Sequence, residues 1–213
     1  MKGVRFGTIH SYDEWGLILS SKEIGTAEPK TKQIEIEGGN GVIDLTDFFG
    51  GVKYQNRLLS FNFTKQNVSP KEYLALFSTI QNAIHGKTMQ VILDDDMGYY
   101  YYGRVSVNEW KSRKNIGEIV IEVDAEPFKT EVTSTIRTYN INGNATIILP
   151  NDKKPAIPIV TNDESFSITY NGYTATYPAN STSIPELELE EGDNYMRLVG
   201  TGTISFEYRK GRL

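Results

Sequence analysis

With 213 residues, 38% of them hydrophobic and 23% charged, the chain is long enough to bury one large core or two modest ones, and its composition is that of a globular protein. The formal charge of −5 divides as 15 basic against 17 acidic residues through Thr130 and 7 against 10 beyond it, so neither part carries the basic excess of a nucleic-acid binder. Zero cysteines exclude disulfides, thiolate metal sites and a cysteine nucleophile.

The opening MKGVRFGTIHSYDEW lacks an apolar segment of signal-peptide length, and no later apolar run approaches a membrane span. A soluble chain made in the cytoplasm, with no membrane association, is expected. His10 falls in a turn-like stretch and reads as structural. QIEIE sets Ile34 and Ile36 on one face and Glu35 and Glu37 on the other, as a half-buried strand does, and GGNG at 38–41 supplies the turn after it. LLSFNFT repeats the alternation with Leu59, Phe61 and Phe63 inward.

One helix follows. Ser69 and Glu72 have the spacing of a capping box, with Pro70 at the first helical position, where no N–H donor is needed. Tyr73, Phe77, Ile80 and Ile84 then fall on one apolar stripe, and Gly86 suits the left-handed end. His85 lies in the last turn, where positive charge is favourable beside exposed carbonyls, and reads as structural.

The stretch LDDDMGYYYYGR, 93–104, admits two readings. As a metal site it needs oxygen ligands converging on a point, but successive strand residues alternate faces, so only Asp94 and Asp96 could cooperate and no third ligand is evident. As a hairpin, the aspartates and Gly98 form the turn. The next strand then carries Tyr99, Tyr101, Val105 and Val107 toward the core and Tyr100, Tyr102, Arg104, Ser106, Asn108 and Trp110 on an amphipathic face. EIVIEVD adds a strand with Ile119, Ile121 and Val123 inward.

Beyond Thr130 the texture changes, with five of the eight prolines and no further helical stripe, and a connecting segment is expected between Lys129 and Thr138. ITYNGYTATY places Asn-Gly between alternating runs, the signal of a two-residue hairpin, and ELELEEGDN reads as a strand with Leu187 and Leu189 inward. No phosphate loop, HExxH or GxSxG is present, and two histidines without a serine and carboxylate context make no triad. Acid pairs such as Asp44 with Asp47 or Glu186 with Glu188 could serve a glycosidase in principle, but such pairs are common on protein surfaces.

IEIEGGNGVIDLTDFFGGVKYQNRLLSFNF, a capped helix ending IHGK, VILDDDMGYYYYGRV and VDAEPF occur in that order, and together they resemble the distal tail protein family of long-tailed phages that infect Gram-positive hosts. The closing ISFEYRKGRL resembles the family's last strand. The resemblance implies a mainly β fold in two domains. Residues 1–130 would be a ring-forming belt domain, a β-sandwich with one α-helix and an extended hairpin, and 131–213 a small galectin-like β-sandwich.

It further implies a non-enzymatic structural protein of the virion, located at the tail tip and made in the host cytoplasm. Six copies would form a hub joining the tail tube protein to tail-tip, tail-associated or baseplate proteins, with a receptor-binding protein among the candidate partners and host attachment as the outcome; whether the second domain meets sugar or that protein is left open. DNA would pass through the lumen without specific binding, and neither a cofactor nor a metal is implied. Within that ring, Tyr100, Tyr102, Arg104 and Trp110 are the expected subunit interface, because tyrosine, tryptophan and arginine are enriched where proteins meet. The alternative reading is a carbohydrate-binding module that recognises cell-wall saccharide through Tyr170, Tyr173 and Tyr177, although this half lacks the tryptophan and histidine of galectin sugar sites.

Overall fold

Period-two alternation becomes strand throughout the computed structural model, which describes residues 3–48, 50–113, 115–180 and 184–213. The chain forms two units, Met1–Pro127 and Phe128–Leu213. The first holds β1 (Val4–Phe6), β2 (Ile9–His10), β3 (Ile18–Ile24), β4 (Gln33–Glu35), β5 (Val42–Asp44), β6 (Arg57–Gln66), α1 (Pro70–Ile84), β7 (Thr88–Leu93), β8 (Tyr99–Arg113) and β9 (Ile116–Ala125). The second holds β10 (Lys129–Glu131), β11 (Thr135–Asn151), β12 (Ile159–Asn162), β13 (Phe166–Tyr170), β14 (Tyr173–Tyr177), β15 (Gly192–Tyr208) and β16 (Gly211–Arg212). Among the described residues the fold is mainly β with one helix, as the sequence implied.

In the first unit the strands run in the order β2-β1-β7-β8-β9-β6-β3, and their pairings are antiparallel. Register makes the core: Phe61 lies opposite Ile121, which lies opposite Val107, while Leu59, Val123 and Val105 form the next row. All six are buried. Phe6 joins them with ring centroids 6.1 Å from Phe61 and 6.3 Å from Phe63.

The capping box at the start of α1 is present, with the Glu72 carboxylate accepting the Ser69 N–H at 3.0 Å and the Ser69 hydroxyl accepting the Glu72 N–H at 3.3 Å. Tyr73, Ile80 and Ile84 are buried, and Phe77 packs against the core. His85 caps the helix, and its Nδ1 accepts the Val107 N–H at 3.0 Å, tying the helix end to β8 in a structural role.

Tyr73 is fully buried against Gly117, where any Cβ would run into the phenol ring. Its hydroxyl has no hydrogen-bond partner among the described residues. Burial, reinforced by the Glu118 carboxylate, pushes that phenol well above its ordinary range. A raised folded-state value means the stabilising contribution is complete below the unfolded pKa near 10 and is lost as pH climbs past it. Tyr73→Phe is therefore expected to gain about 1 kcal/mol at neutral pH, by removing an unsatisfied hydroxyl, and to lessen the alkaline loss. Denaturant melts at pH 7 and pH 10.5 would show this, and a variant less stable than the parent at both would mean that the hydroxyl is bonded.

The second unit is built on β15. β11 pairs with it over its full length, from Thr135 opposite Tyr208 to Asn151 opposite Gly192. On the other edge β13 pairs at Phe166–Thr169 and β12 at Ile159–Asn162. Gly200 lets the Ser165–Phe166 backbone and ring cross at close range, since a Cβ there would meet Phe166 at 2.7 Å. β14 returns from β13 through Asn171 (φ 48) and Gly172 (φ 79), the turn that Asn-Gly predicted.

Two expectations change in this unit. Leu187 and Leu189 are buried, but their segment makes one isolated bridge, Ala156 to Leu189, instead of a strand. The segment 129–138 is strand at both ends, with Lys129 opposite Arg212 and Arg137 opposite Phe206, so neither basic residue sits on an open linker.

Candidate functional site

Residues 25–56 leave the sheet at Ile24 and rejoin it at Arg57, and between them the chain runs out and back as an antiparallel arm. Its base is held by the Gly25 N–H to the Leu58 carbonyl and the Gln55 N–H to the Glu28 carbonyl, both at 2.8 Å. Pro29 bridges to Tyr54, and β4 pairs with β5 through Ile34 opposite Ile43. Gly38 (φ 72) and Gly41 (φ 84) turn the tip. Asp44 belongs to this turn chemistry: the Thr46 hydroxyl and N–H bond its carboxylate and hold it below the ordinary range, so Asp44 serves as a local brace.

The arm's apolar side chains are exposed. Ile34, Ile36, Val42, Ile43, Phe48 and Val52 are 38–73% exposed. This is where reading by alternation missed: Ile34 and Ile36 were expected on the buried face of a strand, yet both are exposed among the described residues. The signal for an arm was the run of polar and glycine residues on both sides of short apolar segments, too brief to define a body of its own.

The tyrosine strand divides differently from its expected faces. Tyr101, Val105 and Val107 are buried and Tyr102 is 41% exposed, as the alternation required, with Tyr100 half-buried. Arg104 donates from Nη1 to the Gly86 carbonyl at 2.5 Å. A bulge between Val107 and Glu109 then shifts the register, so that Trp110 lies opposite the core residue Ile119. Trp110 consequently rests on α1, 5.3 Å from Tyr73 and 5.7 Å from Phe77 between ring centroids. It does not share a face with Tyr100, Tyr102 and Arg104.

The aspartates do form the β7–β8 turn, with the Asp96 N–H on the Leu93 carbonyl and the Tyr99 N–H on the Asp96 carbonyl. They are not interchangeable. Asp94 accepts the Gly3 N–H at 2.6 Å and lies 3.1 Å from Nε2 of buried His10, whose Nδ1 accepts the Asp13 N–H at 3.2 Å. Asp95 pairs with Lys22 on the surface. Among the described residues no three His, Cys, Asp or Glu side chains gather as metal ligands.

As turn residues alone, all three aspartates would tolerate asparagine, which keeps the same turn chemistry. The geometry instead predicts that Asp94→Asn loses about 2 kcal/mol, because a charged acceptor serving two donors becomes an amide with one acceptor atom. Asp95→Asn should stay within about 0.5 kcal/mol, as surface pairs do. Urea melts of the two variants would test this, and equal midpoints would remove Asp94 from its structural role.

Tyr170, Tyr173 and Tyr177 do not form one stacking platform. Tyr170 is buried and donates to Asn194 Oδ1 at 2.6 Å, Tyr177 packs on the core of the second unit, and Tyr173 is half exposed. Glu186 and Glu188 are exposed, and the Glu188 backbone carbonyl accepts from the Tyr170 hydroxyl.

No protein-family model and no curated protein matches this sequence. Among solved structures, the crystal structure of SPP1 Dit (gp 19.1), described as a paradigm of the hub adsorption apparatus in Gram-positive infecting phages, superposes with a TM-score of 0.72 over 100% of both chains at 10% identity. The chain therefore has the fold of that hub protein from end to end. An ethanolamine utilization protein Q from Salmonella typhimurium LT2 covers 87% of this chain and 96% of its own at 10% identity, but its TM-score of 0.21 carries no argument.

Proposed function

We propose that this chain is a distal tail hub protein of a phage, a structural subunit that forms a hexameric ring between the tail tube and the tail tip or baseplate. The observation that carries the reading is the end-to-end fold likeness to SPP1 Dit, across both units, at 10% identity. Independent support comes from the arm. A two-stranded ribbon standing alone is marginal in water, and the exposed Ile34, Ile36, Val42, Ile43 and Val52 on the arm would gain from a surface to meet. A head-to-tail contact, in which one subunit's arm lies on the next, gives such a surface and closes into a ring.

The proposed role is mechanical and non-enzymatic, with DNA passing through the centre, and the acidic balance of the chain suits a conduit that does not retain phosphates. Exposed Tyr102 and Arg104 belong to the proposed subunit contact. Light scattering and negative-stain images test the reading together. Six-fold particles with a central hole are expected, whereas monomers alone at high protein concentration and low salt would refute it.

A further inference from the structure

We propose that Arg57 is the docking point for a carboxylate carried by a second copy of this chain. Arg57 is 6% exposed, and no other lysine or arginine among the described residues is buried. A guanidinium stays charged wherever it is placed, so burying it without a partner forfeits the hydration of a full charge. Its Nε is sealed from solvent with no hydrogen-bond partner, and no carboxylate among the described residues pairs with the side chain. Arg104, Arg197, Arg209 and Arg212, which are exposed, each donate to a protein acceptor.

The position is built into the sheet. Arg57 opens β6 with the same parity as buried Leu59, Phe61 and Phe63, so its side chain starts on the core face. Across that row stand Ala125 on β9 and Gly103 on β8, which offer nothing larger than a methyl group and leave room for the arginine stem. The guanidinium carbon lies 5.8 Å from the centroid of the Tyr101 ring, a cation–π contact that offsets only part of the lost hydration. The two Nη nitrogens are not sealed as Nε is, so the exposed remnant includes the tip of the fork, the part that holds a carboxylate through two parallel N–H bonds.

Place and charge select the partner. Arg57 is where the chain returns from the arm, and the Gly25 N–H on the Leu58 carbonyl at 2.8 Å holds the arm's root beside it. The inference rests on the subunit contact proposed for the hub, which brings a second copy to this arm. With 27 acidic residues against 22 basic ones, every copy presents carboxylates in excess. An Arg57 on one copy and a carboxylate on the next make a contact between two different patches, the head-to-tail kind that closes a ring. Arginine suits the role because its planar fork is more weakly hydrated than an ammonium and matches a carboxylate at both oxygens.

Arg57→Met in the full chain keeps the length of the side chain and drops its charge. Freed of an unpaired buried cation, the dilute variant should melt above the parent, while its self-association, followed by sedimentation, should need at least about tenfold more protein. Arg57→Lys keeps the charge and loses the fork, and should associate less than the parent without melting higher. Arg57→Glu sets a carboxylate against the incoming one and should associate less than Arg57→Met. A parent that melts above Arg57→Met shows that Arg57 is paired within its own chain and overturns the proposal. So does an Arg57→Met or Arg57→Lys chain that associates at the parent's concentration, or an Arg57→Glu chain that associates as well as Arg57→Met. Six-fold rings formed equally by parent and Arg57→Met refute this pairing and leave the hub intact. Association that needs Arg57 but yields no ring refutes the hub and keeps the pairing, and a parent that never associates refutes both.

Discussion

A chain in which Glu28 is joined to Gln55 by a short glycine-serine turn, deleting the arm between them, is expected to remain folded and to lose the ring. The junction is feasible because the Gln55 N–H already bonds the Glu28 carbonyl at 2.8 Å. The sheet should tolerate the loss, since none of Ile34, Ile36, Val42, Ile43, Phe48 and Val52 belongs to the buried core of the first unit. Covering side chains that are about half exposed is worth about 1 kcal/mol each, so the arm offers on the order of 6 kcal/mol per contact before the entropy of association. Removing it should shift the scattering mass from six copies toward one, while the melting temperature changes little. Ile34→Ser with Ile43→Ser, which keeps the chain length and the turn, should act in the same direction. A deletion variant that still forms six-fold rings would move the contact elsewhere, to the tyrosine strand or the second unit.

Local signals were the legible part of this sequence. Ser69 with Glu72 fixes the helix start because both partners of the cap lie three residues apart, and Asn171-Gly172 fixes the hairpin because few other residues adopt positive φ twice in a row. Leu59, Phe61, Phe63, Ile119, Ile121 and Val123 point inward because their alternation runs unbroken through paired strands. The same alternation in QIEIE says which side chains share a face, but only the arm's geometry says that this face is exposed among the described residues. The bond between His10 and Asp94 spans 84 positions and leaves no local trace. β11 escaped notice for another reason: its asparagines and glycine have weak strand propensity, and they are in strand because β15 pairs with all of them.

Trp110 is where period two fails, and its replacement should separate folding from assembly. Parity from Tyr100 onward assigns Trp110 to the outward face, but one extra residue at the bulge reverses the faces beyond Val107. The Val107 N–H at this irregularity is accepted by Nδ1 of His85, so the end of the helix and the bulge hold each other. The indole then fills the space over Tyr73 and Phe77. Trp110→Ala should cost about 3 kcal/mol, near the low end for a tryptophan because the ring is half-buried, and lower the melting temperature on the order of 10 °C. Tyr102→Ala, at a 41% exposed position on the outward face, should melt close to the parent and reduce the fraction of ring. Measuring both variants by thermal melt and by scattering mass distinguishes the roles. Rings lost in Trp110→Ala with an unchanged melt would return the tryptophan to the subunit interface and show that the bulge does not turn it inward.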